Sequence, residues 1–247
     1  MRLTRVHVDA PLSIGQRLSL PEAAAAHLQR VLRMAEGDDC VLFNGDGNDY
    51  DARIALLGKR EVQVEVTGAR PVDNESPLQL TLVQAVARGE KMDWILQKAT
   101  ELGVAGFIAA DSDRSEVKLD ATRAARRVAH WRSVIASACE QSGRARVPGI
   151  DVPRPLAEAL AGLPANGTRL LLDPNGSLDV EGLGPGALPD PAIVLAVGPE
   201  GGWSPRDRTR LEAAGFRGLR LGPRILRTET AGIAAVAALQ GRWGDLR

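Results

Sequence analysis

Aromatic side chains are scarce in this chain: one tyrosine, three phenylalanines and four tryptophans among 247 residues. An extended platform of rings for stacking unpaired bases is therefore excluded, and any stacking falls to an arginine plane or to a tryptophan such as Trp203. Trp94 and Trp131 are expected in the core or at an interface. Only two cysteines occur, Cys40 and Cys139, in neither a metal-ligand spacing nor a paired framework, so both read as reduced and structural. His7, His27 and His130 are far apart and lack ligating neighbours, so no metal site is expected. A Gly-x-Ser-x-Gly elbow is missing, which removes the usual hydrolase reading. No apolar run approaches the roughly 20 residues that span a bilayer, and the N-terminal stretch, with Asp9 and Pro11 early, has no signal-peptide core. A cytoplasmic location is expected. Charge of one sign is not in excess either, at 31 basic against 31 acidic residues, so the global balance gives no support for nucleic-acid binding.

What is present is enough apolar residue, 44%, for a sizeable core in one large or two ordinary domains. Charge is also unevenly spread. Between Arg114 and Arg154 nine basic residues face four acidic ones, which makes that segment either a phosphate-facing surface or a solvated helix face.

Residues 1 to 73 read as short strands and turns, at Arg2 to Val8, Asp39 to Asn44, Tyr50 to Leu57 and Glu61 to Thr67, with a helix near Glu22 to Arg33. Asn44 to Asp49 is a hairpin connection, so its Gly45-Asp46-Gly47 is no dinucleotide fingerprint. A small β-barrel is the expectation. Arg70 to Pro77, polar and bracketed by prolines, marks a boundary, and residues 74 to 247 alternate strand and helix. Strands are expected at Leu78 to Val86, Val104 to Ala110, Arg169 to Asp173, Ala192 to Val197 and Arg217 to Leu221. Helices are expected around Met92, Ile95, Leu96 and Ala99, over Ala121 to Gln141, from Ser204-Pro205 to Gly215, and over Thr228 to Trp243. This alternation predicts an α/β domain with a mostly parallel sheet.

Two loops in that half follow strands. Gly198-Pro199-Glu200-Gly201-Gly202-Trp203-Ser204 comes after Ala192 to Val197, and Leu221-Gly222-Pro223-Arg224-Ile225-Leu226-Arg227-Thr228-Glu229-Thr230-Ala231 after Arg217 to Leu221. Glycines permit sharp turning and close approach to a ligand, and open α/β sheets hold small molecules at such strand ends. Taken singly, each is equally a tight turn with packing glycines.

Together these loops resemble the bacterial RsmE family, the 16S ribosomal RNA uridine-N3 methyltransferases of the SPOUT superfamily. The resemblance extends to His27 to Met34 with Gly37-Asp38, Lys98 to Val104, Arg114-Ser115, and Trp131 followed by Glu140 to Arg144 and Pro148. It implies a PUA-like RNA-binding β-barrel over residues 1–73 and a SPOUT-type, trefoil-knotted α/β methyltransferase domain over 74–247. It also implies a homodimer, S-adenosylmethionine as cofactor, and 16S rRNA in the assembled small ribosomal subunit as substrate. No metal is implied. The cofactor would lie in a bent pose against Leu195, Val197, Gly198, Glu200, Gly202, Leu221, Gly222, Ile225 and Leu226.

The neutral imide nitrogen of uridine has no available lone pair, and with a free-base pKa of about 9 its deprotonation at neutral pH costs about 3 kcal/mol. Cationic or hydrogen-bonding groups aimed at the uracil carbonyls lower that cost. Arg227 is the candidate for anion stabilisation, and Glu229 or Glu200 for proton acceptance; both carboxylates read equally well as turn and helix-start acceptors. Candidates for RNA contact are Arg5, Arg30, Arg33, Lys91, Lys98, Arg114, Arg132, Arg144 and Arg146. Two rival readings are a SPOUT enzyme acting on another nucleoside or a ribose hydroxyl, and a ribosome-assembly factor that binds RNA without catalysis.

Overall fold

The computed structural model describes residues 4–58, 61–115, 120–183 and 192–246, and within them all side chains but those of Ala23, Arg30, Val31 and Ala121. By its contacts the chain divides into two units, Met1–Glu75 with Ala136–Val147, and Ser76–Ile135 with Pro148–Arg247.

The first unit is built on a five-stranded sheet of β1 (Arg5–His7), β2 (Arg17–Ser19), β3 (Asp39–Phe43), β4 (Asn48–Leu57) and β5 (Val62–Pro71), in the order β1-β3-β4-β5-β2. All its neighbouring pairs are antiparallel except β1 with β3. In β5 the period of two puts Val62, Val64 and Val66 inside and Gln63 and Glu65 toward the outside, so burial of one face sets the register. Gly45 and Gly47 turn the β3 to β4 hairpin at φ 93° and 98°, a conformation few other residues adopt. The helix expected over Glu22 to Arg33 is instead a short α1 (Glu22–Ala26) running into a π-helical turn, His27–Val31, closed by Leu32 N donating to His27 O. That turn leaves Leu28 fully buried, and Arg33 ends it at φ 53°.

The segment Ala136–Val147 lies with this unit, although a linear reading put it with the second. Arg144, its side chain 5% exposed, pairs with Glu75 at 2.5 Å, Arg5 Nη2 donates to Arg144 O at 2.9 Å, and His7 N donates to Glu140 at 2.9 Å. Cys40 and Cys139 are both buried and free, and burial pushes their thiols up to about 11 and about 12, so they stay protonated and unreactive.

The second unit carries β6 (Gln79–Ala85), α2 (Lys91–Glu101), β7 (Gly106–Asp111), most of α3 (Ala121–Ser142), β8 (Gly149–Ile150), β9 (Arg154–Pro155) and α4 (Leu156–Ala161). It continues with β10 (Thr168–Leu172), β11 (Ala192–Val197), α5 (Pro205–Ala213), β12 (Arg217–Leu219) and α6 (Thr228–Trp243). Its sheet is parallel throughout, in the order β12-β10-β11-β6-β7-β8, with β9 also pairing with β7. Central β11 is a continuous apolar run, as a strand covered on both faces must be, and β6 beside it buries Leu80, Leu82, Val83 and Ala85. In α2 the expected stripe of Met92, Ile95, Leu96 and Ala99 is fully buried, and in α3 Val128, Trp131, Ile135 and Ala138 face inward. Four short elements, β2, β8, β9 and α4, had no counterpart in the sequence reading.

Candidate active site

Parallel strands all point their C-terminal ends the same way, so the loops after β10, β11 and β12 converge. They line, with the start of α6, a cleft of about 530 Å³, within the range of roughly 300–1,000 Å³ usual for small-ligand sites. The loop after β11 is fixed by its own hydrogen bonds. Gly202 N donates to Pro199 O at 2.8 Å, Arg114 Nη1 donates to Gly201 O at 2.8 Å, and Thr228 Oγ1 donates to Gly198 O at 2.5 Å. A Cβ on Gly198 would lie 3.3 Å from both Trp203 N and Trp203 Nε1, so glycine is what lets the strand end lie against the tryptophan. Ser204 then caps α5, accepting from Asp207 N at 3.0 Å with Pro205 in the first turn, as its sequence predicts.

Of the nine cofactor candidates, Val197, Gly198, Glu200, Gly202, Leu221, Gly222, Ile225 and Leu226 all line this cleft. Leu195 does not, being fully buried inside β11. Arg227 lines the cleft as the N-cap of α6, whereas Glu229, the second residue of that helix, is not among the lining residues and has a buried Oε2 with no hydrogen-bond partner among the described residues.

Electrostatics separates the carboxylates. Burial raises the Glu200 carboxyl, but bonds from Lys91 Nζ at 2.9 Å and Arg88 N at 3.1 Å outweigh it and hold the group below the ordinary glutamate value. A carboxylate so held is a weak base. Across the cleft Asp173 pairs with Arg208, which keeps Asp173 ionised. Asp173, Arg208 and Lys91 are cleft residues that lie outside the two loops of the sequence reading. The signal for Asp173 was available, since it ends a strand predicted from the sequence; Arg208 is brought in only by the packing of α5.

The RNA-contact candidates scatter. Arg33, Arg114, Arg132 and Arg146 are exposed, Lys98 pairs with Glu101 at 2.9 Å, and Lys91 belongs to the cleft. Arg5 and Arg144 are buried in ion pairs with Asp49 and Glu75, where a phosphate would have to displace a carboxylate. The side chain of Arg30 lies outside the described residues. Trp203 is 4% exposed and packs in the apolar layer with Val194, Leu211 and Phe216, so it offers no stacking face. Trp131 is core as expected, but Trp94 stands 59% exposed on α2.

Glycine-walled loops at the C-terminal ends of neighbouring parallel strands define a small-ligand-binding α/β protein. Residues 74–240 match the model of an RNA methyltransferase domain, and residues 20–67 that of an RNA methyltransferase PUA domain. The chain belongs to this RNA methyltransferase family. It is 30% identical to the ribosomal RNA small subunit methyltransferase E of Buchnera aphidicola over 99% of this chain and 98% of that one, and 31% identical to the protein of that name from Bacillus subtilis over 86% and 85%. A crystal structure of ribosomal RNA small subunit methyltransferase E from Neisseria gonorrhoeae bound to S-adenosyl methionine superposes with a TM-score of 0.93 at 41% identity, covering all of both chains. A Legionella pneumophila protein solved with bound SAM gives 0.92 at 36% identity, again over both whole chains. The resemblance to the RsmE family and the α/β fold with a PUA-like domain are thereby borne out.

Proposed function

We propose that this chain transfers a methyl group from S-adenosylmethionine to N3 of one uridine in 16S rRNA. One observation carries the reading: the glycine-walled cleft at the ends of β10, β11 and β12, in a chain whose 41%-identical relative was solved with S-adenosyl methionine. The residues present suit that cofactor. Gly198 and Gly222 keep side chains off the backbone, Leu221, Ile225 and Leu226 supply apolar surface, and the charged pair Asp173 and Arg208 offers a polar end.

S-adenosylmethionine supplies a methyl already activated on a sulfonium, so the protein's part is to bind, exclude water and align. Arg227 and Arg224, both exposed at the cleft, supply positive charge where the uracil carbonyls gain negative charge as the N3 proton passes to water, and so lower the cost of deprotonation. Glu200 holds Lys91 and the Arg88 amide at the lip, a positioning role, while Glu229, next to the lining Thr228, does not itself line the cleft. The substrate is the assembled small subunit, with the PUA-like unit contributing RNA contact through exposed arginines such as Arg33 and Arg146. The acting form is a cytoplasmic homodimer, in line with the exposed Trp94 on α2 and the small residues Ala234, Ala237 and Ala238 along α6. The trefoil knot implied by the family belongs to this same proposal. Among the described residues no helix is long and apolar enough to cross a membrane.

The test is transfer of labelled methyl to small subunits lacking the modification, beside free 16S RNA, with digestion to locate the label. Label in N3-methyluridine at one site, from subunits, is the expected result. Cofactor binding without any transfer would overturn it in favour of a methyltransferase acting on a different RNA, and loss of cofactor binding would favour a non-catalytic RNA-binding factor.

A further inference from the structure

Three groups from separate segments meet behind the cleft. Gln84, fully buried near the end of β6, donates through Nε2 to Ala85 O at 2.9 Å and to Thr228 Oγ1 at 3.2 Å. Thr228, the first residue of α6, donates its hydroxyl hydrogen to Gly198 O at 2.5 Å. Donor accounting makes this a one-way chain. The threonine hydrogen is spent on a carbonyl, so its oxygen can only accept from Gln84, which must therefore present its amide NH2.

The receiving carbonyl is unusual in what it controls. Gly198 precedes Pro199, which has no N–H, so the peptide plane between them has its carbonyl as its sole hydrogen-bonding group. That plane begins the loop after β11, and Gly198 itself restrains no dihedral angle through a side chain. At the other end, fixing Thr228 fixes the neighbouring backbone of Arg227, on the opposite loop of the cleft. The amide oxygen of Gln84 is buried with no partner among the described residues, a standing cost that a purely structural apolar residue would avoid.

We propose that Gln84 and Thr228 are positioning residues that lock the loop after β11 against the start of α6 in a binding-competent geometry before the cofactor arrives. This rests on the reading of the cleft as the S-adenosylmethionine site. Preorganisation removes ordering cost from the binding step, so its loss weakens binding more than it harms the fold.

The experiment compares Thr228→Val, which keeps the shape and removes the hydroxyl, with Thr228→Ser, which restores it, and with Gln84→Leu, using full-length protein. S-adenosylmethionine affinity is measured by calorimetry, and amide hydrogen exchange over residues 198–203 is followed without cofactor. Thr228→Val is expected to weaken cofactor binding roughly ten-fold and to speed exchange in that loop, with only a modest fall in melting temperature from the Gly198 carbonyl and Gln84 amide left without this partner. Thr228→Ser should return both to within about two-fold of the parent. Parental affinity and exchange in Thr228→Val would overturn the proposal, as would a serine variant no better than the valine. Should Thr228→Val fail to fold, the same two readouts on Gln84→Leu decide, with unchanged exchange counting against the relay. If the parent binds no S-adenosylmethionine, the reading of the site has failed, and the cofactor-free exchange comparison still judges the relay.

Discussion

The two loops that enclose the cleft are built on opposite plans. The loop after β11 is tied down along its length, by Thr228 at Gly198, by Arg114 at Gly201, by Lys91 and Arg88 at Glu200, and by Ser204 donating to Asp113 at 2.8 Å. The loop after β12 is held at its ends, by Arg220 N to Leu178 O at 2.8 Å and Ala231 N to Arg227 O at 2.7 Å, and between them Gly222, Pro223, Arg224 and Ile225 are exposed, the isoleucine at 86%. An exposed isoleucine beside an apolar cleft gains burial only when something fills that cleft. One wall is therefore prepared in advance and the other is free to close on what binds. Rigidity on one side limits the ordering cost, and freedom on the other admits a substrate as large as RNA.

The sharpest way to break this asymmetry is to spoil the prepared wall. In Gly198→Val the new Cβ starts 3.3 Å from Trp203 N and carries two further methyls, which must push the loop off its hydrogen bonds. Loss of S-adenosylmethionine affinity by about 100-fold or more is expected in calorimetry. Near-parental affinity would mean that the loop is not a fixed wall. Arg227→Ala acts at the free wall and should do the reverse, reducing single-turnover methyl transfer roughly 10- to 100-fold while cofactor affinity stays within about two-fold. Undiminished transfer would remove Arg227 from the proposed stabilisation of the uracil anion. Gly222→Ala is a milder test of the same side. Its φ of 72° is strained for any side chain, yet nothing lies within 4 Å of the added Cβ, so the cost is backbone strain of about 1–2 kcal/mol and no steric block. Cofactor affinity should fall by roughly five- to thirty-fold, less than for Gly198→Val.

How far the sequence reached follows the same division between local and distant causes. The strand Ala192–Val197, the Ser204-Pro205 helix start and the buried stripe of α2 are written in consecutive residues, and their physics is local. Most of the lining of the two glycine loops was legible for the same reason. Hidden were features that depend on what another segment supplies. Arg5 and Arg144 read as free cations but sit beside Asp49 and Glu75, residues far away in the chain. Trp203 reads as an exposed ring on a glycine loop, yet the backbone turns it down into the layer of Leu211 and Phe216. The π-helical turn at His27–Val31 has no local signal that separates it from an α-helix, and β8 and β9, at two residues each, are too short to carry a period.

The smallest expected effect concerns the lip of the prepared wall, where Lys91 meets Glu200 at 2.9 Å with side chains 36% and 28% exposed. A pair this open to water contributes at most about 1 kcal/mol, and salt screens it. Because the Glu200 carboxyl is held below its ordinary value of 4.5, its contribution is complete above that value and is lost as pH falls through the lower native one. Thermal unfolding of Glu200→Gln against the parent at low salt should therefore show a small deficit at neutral pH that closes on acidification. The same deficit should shrink at high salt. A deficit that persists at acid pH would show that the glutamate holds the lip by shape and hydrogen bonding and not by charge. The bonds of Thr228 to Gly198 O and of Arg114 to Gly201 O depend on no charge on Glu200 and hold the prepared wall at either pH.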